Sequence, residues 1–93
     1  MTVFEEAVLE VICSLEAGEI VTYGEVADQA GFPGAARAVG TVLRNCDGQV
    51  VPWWRVVGAG GQIRTPGKER QVDLLKAEGI LVMGGKVVGV RDR

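Results

Sequence analysis

Apolar residues recur every three or four positions at the start of the chain, with glutamates between them. The apolar set is Val3, Phe4, Ala7, Val8, Val11, Ile12 and Leu15. This spacing predicts an amphipathic helix that ends near Gly18. Thr22 and Glu25 then have the spacing of a capping box, which predicts the start of a short second helix. That helix is expected to end at Gly31 and Pro33.

A third helix is predicted to begin at Gly34, and its two faces differ in character. Its expected apolar face holds Ala38, Val39 and Val42. Its expected polar face holds Arg37, Thr41 and Arg44. Two helices joined by a turn with glycine and proline, the second presenting arginines, are typical of a helix-turn-helix. Two ordinary packed helices explain the same pattern, so DNA binding and simple packing are both open at this point.

The periodicity changes after residue 45, where three short runs have extended character: residues 49–51, 55–57 and 62–64. The glycine-rich turn at 58–61 gives this part the position of a wing. A last helix is predicted over 69–78, and a hairpin over 80–88 turns at a Gly-Gly pair. The expected fold class is therefore α+β and mainly helical. Residues 1–93 form a single winged helix-turn-helix-like domain with a short hairpin or wing.

Composition places the chain among ordinary globular domains. It has 93 residues, of which 47% are hydrophobic and 24% are charged. No apolar run approaches the roughly 20 residues that a bilayer requires, and the acidic start is unlike a signal peptide. Two cysteines do not make a disulfide scaffold. We therefore expect a cytoplasmic monomer with no membrane partner.

The absence of histidine restricts the possible chemistry more than any other count. It removes the Ser-His-Asp triad, the Cys-His nucleophile pair and every zinc site that contains histidine. Two cysteines cannot supply a four-thiolate metal site either. No cofactor or metal is expected, and the sequence favours a binding protein over an enzyme.

Charge is distributed unevenly along the chain, although the net charge is only −2. Residues 1–31 contain seven acidic residues and no basic one, whereas residues 32–70 contain six basic residues and two acidic ones. A sequence pI near 5.0 argues against a general nucleic-acid binder. The arginine-rich centre still permits a local anionic partner, and a simply solvated surface is the alternative.

Four motifs occur together in one order: VTYGEVA at 21–27, AARAVG at 35–40, PWWRVV at 52–57 and LLKAEG at 74–79. In this combination the chain resembles the DNA-binding and active-site domain of the O6-alkylguanine-DNA alkyltransferases. The resemblance extends from about Phe4 to Val82. It implies a helix-turn-helix-like domain that binds duplex DNA through the minor groove and rotates the damaged nucleotide out of the stack.

The chain departs from that family at the reactive position. The transferases carry Pro-Cys-His-Arg, whereas residues 52–55 are Pro-Trp-Trp-Arg. An indole N–H donates a hydrogen bond but cannot attack an alkyl carbon, and no histidine is present to activate a nucleophile. The resemblance is therefore to the alkyltransferase-like members, which implies a non-enzymatic damage sensor. Its implied partners are duplex DNA containing O6-alkylguanine and the proteins of nucleotide excision repair.

The resemblance also implies individual roles. The implied DNA-binding residues are Tyr23, Arg37, Gly40, Thr41 and Arg44. The implied lesion pocket comprises Trp53, Trp54, Val56, Arg64, Thr65 and Leu43. Tyr23 would press on the phosphate beside the lesion, Arg37 would fill the vacated space, and Trp53 would form a flat pocket wall. Glu78 matches the partner of the missing histidine and is expected to face solvent.

Two other functions fit parts of the pattern. A sequence-specific winged-helix regulator also uses a helix-turn-helix. An enzyme could use Cys13 or Cys46 as the alkyl acceptor, although neither has a neighbouring base in the sequence, and both are expected to be structural. A preferred DNA sequence independent of damage would indicate the regulator, and a covalent gain of mass would indicate the enzyme.

Overall fold

The computed structural model describes residues 2–45, 51–63 and 68–88. The helices in these ranges are α1 Val3–Cys13, α2 Tyr23–Gln29, α3 Ala36–Arg44 and α4 Lys68–Ala77. The strands are β1 Val21–Thr22, β2 Val56–Val57, β3 Val82–Met83 and β4 Lys86–Val87. Short 3-10 turns occupy Trp53–Arg55 and Ala59–Gly61. This composition of elements agrees with the mainly helical α+β class.

The first helix forms as predicted but ends early. It starts at a capping box in which Thr2 and Glu5 exchange hydrogen bonds between side chain and main chain, each 3.1 Å long. It ends at Cys13 rather than near Gly18. The Ser14 hydroxyl donates to the carbonyl oxygen three residues before it, at 2.6 Å. Local bonds of this kind compete with continued helix, which accounts for the shorter element.

Helices α2 and α3 form the predicted helix-turn-helix. Thr22 caps α2: its hydroxyl accepts from the Glu25 N–H at 3.1 Å, and the Glu25 carboxylate accepts from the Thr22 N–H at 3.0 Å. The capping box is therefore confirmed. In the turn that follows, Gly31 and Gly34 have φ of 90° and 87°, a region that favours glycine. The chain can therefore reverse within a few residues before α3 begins.

A short parallel strand pair joins distant parts of the chain and was not predicted. Val21 pairs with Val56, and Thr22 pairs with Val57. All four residues are buried. Tyr23 follows β1 directly, and the turn Trp53–Arg55 precedes β2 directly. One strand pairing therefore fixes the main chain next to two of the expected functional positions.

The core consists of two apolar clusters. The first lies between α1, α2, α3 and the strand pair and contains Val8, Ile12, Val21, Val26, Ala27, Val39, Val42, Val51 and Val56. The second lies beneath α4 and the hairpin and contains Val57, Ile63, Leu75 and Val87. Val39 and Val42 confirm the buried face of α3. The placement of Ala38 on that face was wrong, because Ala38 is exposed.

The C-terminal hairpin is confirmed, whereas the wing is smaller than predicted. Strands β3 and β4 are antiparallel, and the Gly84-Gly85 pair between them has φ of 60° and 74°. The run at 62–64 contributes one bridge, from Gln62 to Lys86, and no strand within the described residues. The segment 58–61 holds the 3-10 turn Ala59–Gly61. Residues 49, 50 and 64 lie outside the described ranges.

One polar side chain is fully buried under the second cluster. Gln71 of α4 has no exposed surface. Its Nε2 donates to the carbonyl oxygen of Trp54 at 2.9 Å and to that of Val56 at 3.0 Å. These carbonyls lie where the 3-10 turn passes into β2. Gln71 therefore attaches α4 to the tryptophan-containing turn.

We expect Gln71→Leu to lower the free energy of unfolding by about 2 kcal/mol, because it leaves two buried carbonyls without a donor. Gln29→Leu is the matched control, since Gln29 is exposed at the end of α2. Urea denaturation followed by circular dichroism measures both variants. Equal stability of the two variants would contradict the role given to Gln71.

Candidate nucleic-acid interface

The exposed face of α3 carries the predicted polar residues. Arg37, Thr41 and Arg44 are all exposed. The Arg44 Nη2 donates to the Thr41 hydroxyl at 3.1 Å, and that hydroxyl lies 3.4 Å from the Arg37 carbonyl oxygen, to which it donates. The helix contains no acidic residue. The face is therefore positively charged and suits a row of phosphates.

The Arg37 side chain has no polar partner among the described residues. It lies in the first turn of α3 and is exposed. Among the residues that the structure describes, its guanidinium has no hydrogen bond or ion pair. A planar guanidinium in this state can extend into a partner without breaking an internal contact.

Tyr23, Gly40 and Arg44 meet where α2 packs against α3. Tyr23 is the first residue of α2, half-buried against the first cluster. A Cβ atom placed on Gly40 would lie 3.9 Å from Cε1 of Tyr23 and 3.8 Å from Nη1 of Arg44. Both distances are ordinary contacts, so the protein itself has room for a methyl group at this position. The glycine is therefore not required by internal packing.

We expect Gly40→Ala to raise the free energy of unfolding by about 0.5–1 kcal/mol, because alanine is the better residue inside a helix. We expect the same variant to bind DNA more weakly, since the methyl group would separate α3 from the nucleic-acid backbone. Thermal unfolding and fluorescence anisotropy measure the two effects. A variant that is more stable and binds DNA as the wild type does would contradict the close approach.

The two tryptophans lie in a 3-10 turn rather than in an extended segment. Their rings make an edge-to-face contact, with centroids 6.1 Å apart and planes at 86°. Both side chains are half-buried. Trp54 packs against the second cluster, so part of its ring belongs to the core.

The expectation that Glu78 faces solvent was wrong. Its carboxylate accepts from the Trp54 indole N–H at 2.7 Å and from the Gly18 main-chain N–H at 3.0 Å. Arg55 donates to it from Nη2 at 2.8 Å and from Nε to both oxygens at 3.1 Å. The side chains of Arg55 and Glu78 are each 12% exposed. The indole N–H and the guanidinium together satisfy a carboxylate that has no histidine partner.

The carboxylate stays ionised far into the acid range. The hydrogen bonds from Arg55 lower the pKa of Glu78 from 4.5 to about 2, against the opposing effect of burial, and the Gly18 and Trp54 donors add to the decrease. The same bonds raise the pKa of Arg55. The Arg55 Nη1 also donates to the Leu15 carbonyl oxygen at 2.8 Å. The ion pair therefore joins the segment after α1, the tryptophan-containing turn and the end of α4.

The ion pair predicts a specific acid sensitivity. Because the pKa of Glu78 is lower in the folded state than in the unfolded one, its stabilisation is complete above pH 4.5 and is lost as the pH falls towards about 2. We expect Glu78→Gln to remove roughly 2–3 kcal/mol of this pH-dependent stability. Urea unfolding between about pH 5 and pH 2 measures the slope. Glu10→Gln, at an exposed position of α1, should retain the wild-type slope.

The remaining residues of the predicted pocket differ in their placement. Val56 was expected to form a pocket wall, but it is fully buried in the first cluster, so it presents no surface to a ligand. Leu43 is partly buried against the same cluster. Arg64 and Thr65 lie outside the described residues, as does Cys46. Cys13 is free and exposed at the last residue of α1.

Among residues 2–45, 51–63 and 68–88, no helix is long and apolar enough to cross a bilayer. The same ranges contain no group of three or more potential metal ligands among His, Cys, Asp and Glu.

The family follows from comparison with known proteins. The family model described as "6-O-methylguanine DNA methyltransferase, DNA binding domain" matches residues 3–80. The match covers most of the chain, so this protein belongs to that family.

Two relatives illustrate the range within the family. The chain is 42% identical over 85 residues to a DNA base-flipping protein of Vibrio parahaemolyticus, covering 88% of this chain and 85% of that protein. It is 42% identical over 80 residues to the Methylated-DNA–protein-cysteine methyltransferase of Mycobacterium leprae, covering 83% of this chain and 48% of that protein. The family therefore includes both a protein named for base flipping and a methyltransferase.

A solved structure agrees with the fold. The crystal structure of S. pombe Atl1 in complex with damaged DNA containing O6-carboxymethylguanine matches with a TM-score of 0.83 and 34% identity. The match covers 89% of this chain and 82% of Atl1. It confirms the predicted helix-turn-helix-like α+β class.

Proposed function

We propose that this protein is a non-enzymatic sensor of DNA damage. It binds O6-alkylguanine in duplex DNA through the minor groove, rotates the damaged nucleotide out of the stack and marks the site for nucleotide excision repair. The observation that carries the proposal is the exposed face of α3, which presents Arg37, Thr41 and Arg44 together. Arg37 has no polar partner among the described residues. The relatives named for base flipping and the Atl1 complex with damaged DNA support it.

Tyr23 and Arg37 have different roles in rotating the nucleotide out of the stack. Tyr23 is held by the capping box at the start of α2 and by the first cluster, so its ring is a firm surface against which a phosphate can be turned. Arg37 enters the duplex and occupies the vacated space, where its planar guanidinium stacks on the neighbouring bases. Thr41 and Arg44 contact phosphates and hold α3 in register.

Selectivity begins before the pocket is reached. Extruding a base costs a few kcal/mol, and the cost falls when the lesion has already weakened its pairing. Stacking on an aromatic side chain contributes roughly 1–3 kcal/mol per base. Trp53 supplies that stacking surface, with Leu43, Arg64 and Thr65 as further pocket residues. An alkylated guanine therefore gains more from extrusion than an undamaged one.

The same site supports binding without alkyl transfer. Neither Trp53 nor Trp54 has a nucleophilic atom comparable to a thiolate. Cys13 is the last residue of α1, and no basic side chain lies in the last turn of that helix. We propose that the protein acts as a monomer in the cytoplasm, without a cofactor, and that repair proteins recognise its complex with damaged DNA.

Intact-mass spectrometry tests the absence of transfer. We expect no change in protein mass after prolonged incubation with a duplex that contains O6-methylguanine, and no loss of the lesion from the DNA. A gain of one methyl group would contradict the proposal. Cys13→Ser and Cys46→Ser would then identify the acceptor.

Binding to damaged and undamaged DNA tests the sensor. We expect tighter binding to a labelled duplex with one O6-methylguanine than to the same duplex with guanine, at matched salt. Arg37→Ala should lower the preference about tenfold, because it removes the group that stabilises the gap. Arg37→Lys is the matched control, since it keeps the charge and removes the planar guanidinium. Fluorescence anisotropy measures all six combinations of protein and duplex.

Two outcomes of this titration, and one outcome of a separate selection experiment, contradict the proposal. Equal affinity of the wild type for the two duplexes would remove the sensor. A preferred DNA sequence that is independent of damage, found by selection from random DNA, would indicate a winged-helix regulator. If Arg37→Lys kept the full preference for the damaged duplex, Arg37 would contribute only its charge, as a phosphate contact does.

A further inference from the structure

We propose that Trp54 and Glu78 form a positioning pair for lesion recognition: their hydrogen bond fixes the turn Trp53–Arg55, and this sets the angle at which Trp53 meets the extruded base. The inference deepens the proposed function and rests on it. It assigns to Trp54 a role different from that of a pocket wall.

Trp54 is held at both its side chain and its main chain. The indole N–H donates to Glu78 at 2.7 Å, and the carbonyl oxygen accepts from Gln71 at 2.9 Å. The Arg55 guanidinium lies over the Trp54 ring, 5.4 Å from the centroid. Trp54 also packs against the second cluster. These contacts together restrict the orientation of the Trp54 ring.

Glu78 is itself fixed by parts of the chain outside the turn. The Gly18 N–H, from the segment after α1, donates to it at 3.0 Å. Arg55 joins Glu78 by three hydrogen bonds and extends to the Leu15 carbonyl oxygen at 2.8 Å. The carboxylate is thus a fixed acceptor to which the Trp54 N–H is directed.

Trp53 takes its orientation from Trp54. Within the described ranges the Trp53 indole makes no hydrogen bond. The Trp53 ring makes an edge-to-face contact with the Trp54 ring, with their planes at 86°. A rotation of the Trp54 ring would remove that contact and free the Trp53 ring. Stacking on a base requires a fixed plane, so recognition of the lesion depends on the Trp54–Glu78 bond.

Trp54→Phe is the main test variant. It keeps an aromatic ring in the second cluster and leaves the Glu78–Arg55 ion pair intact, but it removes the N–H donor. We expect the ratio of affinities for O6-methylguanine and guanine duplexes to fall about fivefold, as expected for the loss of one hydrogen bond that orders the site. Affinity for the guanine duplex should change less than twofold, because α3 makes those contacts.

Glu78→Met, which removes both acceptor oxygens, and the double variant complete a cycle. If the two residues act through one bond, Glu78→Met should add little to the loss of preference that Trp54→Phe already causes. Glu10→Gln is the control for the change in charge. Each titration is run well below the melting temperature of the variant, with its folded fraction measured by circular dichroism.

The outcomes distinguish failure of the positioning role from failure of the proposed function. A wild-type preference that Trp54→Phe leaves intact would overturn the positioning role and leave the proposed function standing. Equal losses on both duplexes would overturn it as well, because they indicate a general effect on the fold. A wild type without preference would overturn the proposed function and this inference together.

Discussion

The carboxylate of Glu78 is the point at which three separated segments of this small domain are joined. It follows α4, receives a main-chain N–H from residue 18 and neutralises Arg55 in the turn that carries both tryptophans. A nearly buried charge is tolerated only when it is paired and its lone pairs are used, and here five hydrogen bonds from Gly18, Trp54 and Arg55 meet that condition. The strand pair and the two hydrogen bonds from Gln71 hold the same turn at its junction with β2.

The exposed face of α3 depends on a different part of the fold, and the two parts meet at β1 and β2. Helix α3 is positioned by Val39 and Val42 in the first cluster, which leaves Arg37 and Arg44 on its exposed face. The acidic first third of the chain offers no general attraction for DNA. With few basic groups on α3, non-specific binding should be weak, so a contact made only with an extruded base carries much of the discrimination.

The sequence predicted those elements whose signals are local. Helical periodicity, the Thr22–Glu25 capping box and the Gly-Gly hairpin each act over a few residues, and all three are present. Strand β1 was missed because two residues cannot display an alternating pattern. The role of Gln71 was missed, and Glu78 was wrongly expected to face solvent, because their partners lie 15 to 60 residues away along the chain.

At the candidate site, too, local motifs were predictive and long-range contacts were not. Tyr23, Arg37, Gly40, Thr41 and Arg44 were assigned through motifs, and the structure brings Tyr23 and Arg44 to either side of Gly40. The burial of Val56 and the bond between Trp54 and Glu78 depend on how the turn enters β2, which no motif records. The Trp54 indole N–H gives this network a donor whose protonation does not change near neutral pH.

The central claim is that a nucleotide leaves the helix to meet Trp53 while Arg37 takes its place. The most direct measurement is a crystal structure of this protein with a duplex containing one O6-methylguanine. We expect the alkylated base to lie outside the stack against the Trp53 ring, with the Arg37 guanidinium in the gap and α3 in the minor groove. A lesion still stacked in the duplex, with α3 in the major groove contacting base edges, would contradict this mechanism.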